Sequence, residues 1–256
     1  MMKDKRKYGW IPDLPDHRDL KYQISSKRIV LPESYDLRKI KIMPEILDQG
    51  EIGSCTANAA ASAHLFCKLN SIEGTKNATE VSRSFIYHYE RVLEKTYPSD
   101  SGAQIRTAIK VLSKYGACAE SLFPYSEDTY NKKPTVKMNK DALNRQILKY
   151  ERLTRSLTSF KKCLYFGNPF LFGFTVYSSI DNISKTNNIL ALPNKSDGME
   201  GGHAVLAVGY DNTVNSFIVM NSWGKDWGNN GYFYLPYEYL TNTNLSDDFW
   251  VISDVE

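Results

Sequence analysis

The sequence predicts an α+β fold with two lobes, helical in its first half and rich in strands in its second half. Three observations support this prediction. An alanine-rich run follows Cys55, further segments before residue 150 show helical spacing of apolar residues, and apolar runs typical of strands dominate after residue 150. The chain has 256 residues, enough to bury a sizeable core. A helical lobe beside a strand-rich lobe leaves a cleft between them, a usual place for a functional site.

The first predicted helix begins after Ser54 and ends near Asn70. Serine is a good N-cap and alanine the best helix former, so Cys55 should lie in the first helical turn. Unpaired backbone N–H groups and the positive end of the helix dipole favour an anion there. Thiols in such settings have pKa values of roughly 3.5–7.5, compared with ~8.5 for a free cysteine. Cys55 is therefore either a reactive thiol or an inert buried cysteine, because free cysteine is among the most buried residue types.

Three more helices are predicted from apolar spacing and from their end signals. One spans Ser82 to Glu94, with Ser82 as its cap. Another spans Ala103 to Tyr115 and is closed by Gly116. A short helix is predicted over Ser156 to Phe166, at the start of the strand-rich half.

Strands are predicted after this short helix. The aromatic and β-branched run from Pro169 to Tyr177 indicates a buried strand, and a long loop is expected from Ile180 to Gly202. Further strands are predicted over His203 to Tyr210, Phe217 to Met220 and Gly231 to Leu235.

The two strands after Gly202 would place His203 beside Asn221. A hairpin centred on Asn212 pairs residues whose numbers sum to 424, so that His203 faces Asn221. Directly opposed residues have Cβ atoms about 4.5–5.5 Å apart, within hydrogen-bonding reach for these side chains. Polar residues at the open end of an otherwise apolar hairpin indicate a site, although an isolated histidine at a strand start is often structural.

Composition and charge exclude several classes of function. The net charge of +3 is too balanced to indicate nucleic acid or an acidic membrane as a partner. No apolar run approaches the length of a spanning helix, and the basic N-terminus lacks the apolar stretch of a signal peptide, so a cytoplasmic location is favoured. The four cysteines are widely scattered, which argues against a zinc site and against a disulfide framework. No metal or other cofactor is expected, and a monomer is expected.

Three motifs in chain order resemble those of the papain-like cysteine peptidases, and the segment from Leu31 to Arg38 resembles the start of the mature enzymes. The resemblance covers roughly residues 31–256. It implies a papain-like fold with a helical lobe over about 45–150, an antiparallel, barrel-like β lobe over about 151–256, and an active-site cleft between them. The motifs are Gln49-Gly50 with Gly53-Ser54-Cys55, then Gly202-His203-Ala204-Val205, then Asn221-Ser222-Trp223-Gly224 with Trp227-Gly228 and Gly231-Tyr232.

The resemblance also implies roles for individual residues. Cys55 would be the nucleophile that forms a thioester acyl-enzyme, and His203 the general base and then the acid. Asn221 would orient the His203 ring, and Gln49 would donate to the oxyanion hole. A peptide or protein substrate would contact a second set of residues, namely Gly102, Ala204, Val176 and Trp223.

The sequence departs from the family pattern near the nucleophile. Ile52 stands where the signature has a cysteine, so the usual disulfide there cannot form. Thr56 replaces the aromatic residue that follows the nucleophile, and Gly202 stands where many relatives carry Asp or Asn.

Residues 1–30 are an extension that is too short for the family's helical pro-domain. The proline spacing and aromatic residues of Tyr8 to Asp19 predict an extended segment. We expect this segment to lie in or near the cleft as a cis-inhibitory pro-segment, with packing on the back surface as the alternative. A thiol endopeptidase is the leading prediction; an exopeptidase, an acyl-transferase, or a non-catalytic binding module on the same scaffold are its alternatives.

Overall fold

The computed structural model describes residues 6–23, 29–71 and 74–256 of the chain. Six α-helices and seven β-strands lie in these ranges. The helices are α1 (Cys55–Leu69), α2 (Arg83–Leu93), α3 (Ile105–Lys114), α4 (Val136–Ala142), α5 (Leu157–Tyr165) and α6 (Tyr237–Thr241). The strands are β1 (Ser34–Asp36), β2 (Ile147–Arg152), β3 (Phe170–Tyr177), β4 (Met199–Asp211), β5 (Ser216–Met220), β6 (Tyr232–Pro236) and β7 (Ser246–Val255).

The strands form one antiparallel sheet in the order β2-β7-β3-β4-β5-β6, and β1 pairs with β4. The last strand in sequence, β7, therefore lies inside the sheet between β2 and β3. Strands β3 and β4 pair over eight positions, from Phe170 opposite Ala207 to Tyr177 opposite Met199. This long pairing fixes His203 opposite Phe174, at the end of the sheet that borders the cleft.

Strand β4 separates two hydrophobic cores because its side chains alternate between the two faces of the sheet. Ala204, Leu206 and Val208 pack with helices α1, α2 and α3. Val205, Ala207 and Tyr210 pack on the opposite face, with α5 and the aromatic residues of β3. The molecule therefore has a helical lobe and a strand-rich lobe, with α1 packed against the sheet where they meet.

The helix caps follow the sequence signals with one exception. The Ser82 hydroxyl accepts from the Phe85 backbone N–H at 3.1 Å, as expected for the cap of α2. Ser54 occupies the cap position of α1, but its hydroxyl makes no capping bond and instead contacts Tyr125 and Asn58. The hydroxyl of Ser54 thus ties the start of α1 to a neighbouring loop.

The register of the β4–β5 hairpin differs from the prediction. Ala207 faces Val219 rather than Phe217, and Tyr210 faces Phe217, with a β-bulge between Ala207 and Gly209. The residue numbers of paired positions therefore sum to 427 between the turn and the bulge and to 426 on the far side of the bulge, whereas the predicted sum is 424. The turn is centred between Thr213 and Val214 rather than on Asn212, which accounts for the shift near the turn. The bulge, an extra residue on β4, then changes the sum by one. Extending the 426 register makes His203 and Asn221 diagonal neighbours on one face, which still lie within reach of each other.

Several elements were not predicted, namely β1, β2, β7, α4 and α6, and β4 begins at Met199 inside the expected loop.

Within the described ranges, no helix is both long enough and apolar enough to cross a membrane.

Candidate active site

Cys55 is the first residue of α1, as its sequence context predicted, and its side chain is fully buried. Burial raises the pKa of its thiol to about 12, while backbone hydrogen bonds from Ala204, Gly9 and Thr56 act in the opposite direction. The low thiol pKa expected at a helix start is therefore not found in this state. The reason is desolvation, because a thiolate loses the stabilisation of water when it is enclosed.

His203 and Asn221 are joined by a hydrogen bond. His203 Nε2 lies 2.7 Å from Asn221 Oδ1, which also accepts the backbone N–H of Ser222 at 2.8 Å. The Trp223 indole stacks on the imidazole, with ring centroids 4.6 Å apart. Because Asn221 accepts from a fixed backbone group and the indole covers the ring, the imidazole is held in one orientation.

Burial favours the neutral form of the His203 imidazole. Burial lowers the pKa of His203 to about 4; the bond to Asn221 opposes this shift, and the charge of Arg6 adds to it. The other ring nitrogen, Nδ1, is buried and has no hydrogen-bond partner among the described residues. Both shifts favour the neutral thiol and the neutral imidazole over a thiolate–imidazolium pair.

Gln49 lies at the same end of α1 and its amide is fixed on both sides. Its Oε1 accepts from the Ser222 hydroxyl at 2.7 Å. Its Nε2 donates to the backbone carbonyls of Ile52 at 3.0 Å and Lys7 at 3.2 Å. The amide nitrogen is therefore aimed by Ser222 and already holds a carbonyl oxygen that comes from the N-terminus.

The N-terminal residues lie across the cleft. We call residues 6–19 the strap. The Ala103 N–H donates to the Gly9 carbonyl at 2.7 Å, the Ile11 N–H donates to the Ala103 carbonyl at 3.0 Å, and the Trp10 N–H donates to the Gly202 carbonyl at 2.8 Å. The strap thus makes backbone hydrogen bonds to both lobes, and its pairing of Trp10 with Ala103 is a parallel β-bridge.

The strap passes directly over the start of α1. A side chain at Gly9 would overlap the carbonyl oxygen of Gly53, so only glycine allows this approach. The Tyr8 ring lies against the His203 and Trp223 rings, with centroids 6.2 and 6.1 Å away. The strap thus covers the start of α1 and one side of the His203 ring, and both the thiol and the imidazole are buried.

A buried ionic cluster anchors the strap beyond Trp10. The Asp13 carboxylate is fully buried and accepts from Arg152 at 3.1 Å, from the Trp250 indole at 3.0 Å and from the Arg106 backbone N–H at 3.1 Å. Asp19 accepts from the Arg106 guanidinium at 2.6 Å. These contacts join the strap to helix α3 and to strands β2 and β7.

The four residues expected to contact substrate lie in different places. Gly102 lies under Gly9, while its neighbour Ala103 makes the backbone hydrogen bonds. Ala204 is buried next to Cys55, and Trp223 covers His203. Val176 is fully buried in the core of the strand-rich lobe, on the face of β3 opposite Gly173.

The sequence did not predict the roles of three residues at the site. Ser222 orients Gln49, and its position within the Asn221-Ser222-Trp223 motif is the sequence feature that could have identified it. Trp10 packs against the backbone of β3 at Gly173, and Asp248 accepts from its indole N–H at 3.0 Å. Nothing in the local sequence around Asp248 indicates a position near Cys55.

The arrangement suits acyl transfer. A sulfur at a helix start, an imidazole held by a carboxamide, and a fixed amide N–H₂ group are the types that nucleophilic attack on a carbonyl requires. All four cysteines are free, so the Cys55 sulfur is available for such a reaction.

Comparisons with known proteins agree with this chemistry. Residues 31–249 match the model of the papain family of cysteine proteases. The chain is 39% identical, over 98% of its length and 88% of the relative's, to an uncharacterized peptidase C1-like protein of Acanthamoeba polyphaga mimivirus. It is 28% identical to a cathepsin B-like protein of Giardia intestinalis, over 79% of this chain and 68% of that protein.

Among solved structures, the cysteine protease xylellain from Xylella fastidiosa superimposes with a TM-score of 0.90. The two chains are 42% identical, with coverage of 100% of this chain and 99% of xylellain. These matches do not favour a non-catalytic binding module or an acyl-transferase. The chain therefore belongs to the papain family of cysteine proteases, and it has the two-lobed papain-like fold and the function of a cysteine peptidase.

Proposed function

We propose that this protein is a thiol endopeptidase whose cleft is closed by its own strap. The observation that carries the proposal is the Gln49–Lys7 hydrogen bond: the amide N–H₂ expected to hold a substrate oxyanion instead holds a strap carbonyl at 3.2 Å. The strap therefore occupies the place in which a substrate carbonyl would react.

In the open enzyme, Cys55 is the nucleophile and His203 takes the thiol proton. The sulfur attacks the carbonyl carbon of the scissile bond, and Gln49 donates to the developing oxyanion beside the Cys55 backbone N–H. The carbon–nitrogen bond then breaks, and His203 gives its proton to the leaving amine. Water attacks the thioester and His203 takes a proton from the water. The carbon–sulfur bond then breaks, the acid product leaves, and His203 returns the proton to the sulfur. Asn221 holds the ring in position for both transfers.

The course of the strap supports cleavage within a chain. On one side of the thiol, the Arg6 guanidinium lies 4.6 Å from the centre of the Trp223 ring. On the other side, Trp10 and Asp13 reach β7. The cleft thus accommodates a polypeptide on both sides of the sulfur, which is what an endopeptidase requires of its site.

The test uses peptides of about ten residues that are blocked at both ends, a length that spans the eight strap residues from Arg6 to Asp13 inclusive. A Gly9→Ala variant, in which the strap cannot approach Gly53, is expected to cut them internally, and adding Cys55→Ala should abolish the cleavage. Removal of residues only from unblocked ends would instead identify an exopeptidase, and cleavage that survives Cys55→Ala would refute the assigned nucleophile.

A further inference from the structure

The peptide unit between Ile52 and Gly53 is held on both sides. Its carbonyl oxygen, from Ile52, accepts from Gln49 Nε2 at 3.0 Å. Its N–H, from Gly53, donates to the two carboxylate oxygens of Asp100 at 3.0 and 3.3 Å. A peptide unit is planar, so a bond that fixes its N–H also fixes the direction of its carbonyl. The Asp100 carboxylate thus sets the position of the oxygen that the Gln49 amide binds.

The Asp100 carboxylate is itself fixed. Its side chain is 10% exposed, and its Oδ1 accepts from the Tyr87 hydroxyl at 2.5 Å. Tyr87 is fully buried in α2, and burial together with the bond to Asp100 raises the pKa of its hydroxyl, which therefore keeps its proton. The same hydroxyl accepts from the Gly102 N–H at 3.1 Å. Hydrogen bonds therefore connect Gly102, the neighbour of the strap-binding Ala103, to Gln49.

Lys7 of the strap contacts both ends of this connection in the closed protein. Its carbonyl accepts from Gln49 at 3.2 Å, and its ammonium group donates to Asp100 Oδ2 at 2.8 Å. The hydrogen bond to Asp100 raises the pKa of Lys7, so the pair is fully charged. When the strap leaves, the Lys7 bonds are lost, whereas the bonds from Gln49 to Asp100 lie wholly within the enzyme body. These bonds are therefore available during catalysis.

The Gln49 amide needs this support to donate in one direction. Its nitrogen carries two hydrogens, of which one binds the Ile52 carbonyl and the other binds the Lys7 carbonyl, in the place proposed for the substrate oxyanion. Ser222 fixes the amide at Oε1 alone. An oxyanion donor is effective when its direction is set before the reaction, and the Ile52 carbonyl supplies the second fixed point.

We propose that Asp100 is a positioning residue for the peptidase reaction, which holds the Ile52–Gly53 peptide so that the Gln49 amide points at the oxyanion. This inference rests on the proposed peptidase function and on the oxyanion role of Gln49. Asp100 acts through a peptide unit rather than on the reacting atoms. Its contribution is therefore expected in kcat more than in KM.

The experiment uses the full chain carrying Gly9→Ala and a blocked peptide substrate. Asp100→Ala should lower kcat by about 10- to 100-fold, because a small displacement of a catalytic group has effects of this size, and should leave KM within about threefold. Asp100→Asn should keep kcat within about threefold, since its Oδ1 still accepts from Gly53 and Tyr87. The matched control is Glu51→Ala, which should retain the kcat and KM of the parent. Glu51 is exposed, lies in the same loop, and its charge also acts on Lys7.

A double-mutant cycle with Gln49→Ala separates positioning from a merely structural role. Once the amide is absent, Asp100→Ala should change kcat by no more than about threefold. The same 10- to 100-fold loss in both backgrounds would overturn the inference, because Asp100 would then act independently of Gln49. A kcat of Asp100→Ala equal to that of its parent, or an equal loss in Asp100→Asn and Asp100→Ala, would also overturn it.

If Asp100→Ala does not fold, Tyr87→Phe takes its place. This variant removes the hydroxyl that fixes the carboxylate, so kcat should fall, and the fall should disappear in the Gln49→Ala background. An unchanged kcat in Tyr87→Phe would count against the inference. Absence of Cys55-dependent cleavage by the Gly9→Ala parent would instead refute the proposed function, before any Asp100 variant is compared.

Discussion

The side-chain nitrogen of Gln49 lies 3.2 Å from the carbonyl oxygen of Lys7. These residues are separated by 42 positions in the chain, and the bond between them closes the cleft with a segment of the same molecule. The same segment buries the Cys55 thiol and covers the His203 ring. Activity is therefore expected to depend on how readily the strap leaves.

Gly9→Ala should activate the enzyme. A methyl group at this position would overlap the Gly53 carbonyl, so the strap cannot keep its place while the residues beneath it are unchanged. Loss of about 1.4 kcal/mol of strap binding would raise peptidase activity about tenfold, and a larger loss would raise it further. The measurement is the initial rate on a blocked peptide.

The matched control for this variant is Gly198→Ala, because the space around Gly198 is open. It should have the activity of the unaltered protein. Equal rates for Gly9→Ala, Gly198→Ala and the unaltered protein, all of them folded, would show that the strap does not limit activity.

Gln49→Ala should lower kcat in the Gly9→Ala background. Removal of one oxyanion donor typically costs ~10²–10³ in turnover. Ser222→Ala should have a smaller effect in the same direction, because it leaves the amide in place but removes the hydroxyl that fixes it. Steady-state kinetics on both variants would test this order, and a kcat of Gln49→Ala close to that of its parent would refute the oxyanion role.

The pH dependence of Cys55 alkylation should show whether the strap covers the thiol. In the closed protein, burial raises the pKa of Cys55 to about 12, so the reactive thiolate fraction increases about tenfold per pH unit from pH 6 to 9. Opening the cleft hydrates the thiolate and lowers this pKa, so the Gly9→Ala profile should be flatter and its rate at pH 6 higher. Iodoacetamide labelling of Cys55, followed by mass spectrometry, measures both profiles. Parallel profiles would contradict the assignment of the shift to the strap.

Asp13→Ala should also release the strap. This carboxylate is fully buried between Arg152, the Trp250 indole and the Arg106 backbone N–H. Breaking a buried ion pair on one side commonly costs about 3–5 kcal/mol, because the remaining charge is left without compensation. Higher peptidase activity and faster proteolysis of the strap are therefore expected.

Asp16→Ala provides the control within the strap, since the Asp16 carboxylate accepts hydrogen bonds from Arg18, two residues away in the same strap. It should leave both activity and proteolysis unchanged. If Asp13→Ala behaves like Asp16→Ala, the ionic cluster is not what holds the strap.

Local signals in the sequence predicted the elements that carry the site. Capping serines and helical spacing located α1, α2 and α5 to within a residue or two of their ends, and the apolar run from Pro169 located β3. Strand β7 was missed because it starts with Ser246-Asp247-Asp248, a polar stretch without alternation. The β4–β5 register was wrong because the turn spans residues 212–215 and is centred after Thr213 rather than on Asn212.

The motifs led to Cys55, His203, Asn221 and Gln49, which the fold gathers at one end of α1. The raised pKa of the thiol was not predictable, because it depends on the strap, which lies 36 or more positions away in the chain. The position of Asp248 was not predictable either, because it lies at a bulge between β3 and β7, where it accepts from the Trp10 indole. Both features arise from packing between residues far apart in the chain, which local sequence patterns do not predict.

The most direct test of the account is covalent labelling by a thiol-directed epoxide. In the Gly9→Ala protein we predict one adduct per chain, located on Cys55 by mass spectrometry, formed faster than in the unaltered protein and lost in His203→Ala. Cys67 is the partly exposed thiol that serves as an internal reference for non-catalytic reactivity. Labelling of Cys67 but not of Cys55, or labelling of Cys55 that is indifferent to both Gly9 and His203, would contradict the claim that a strap-covered cysteine peptidase site lies at the start of α1.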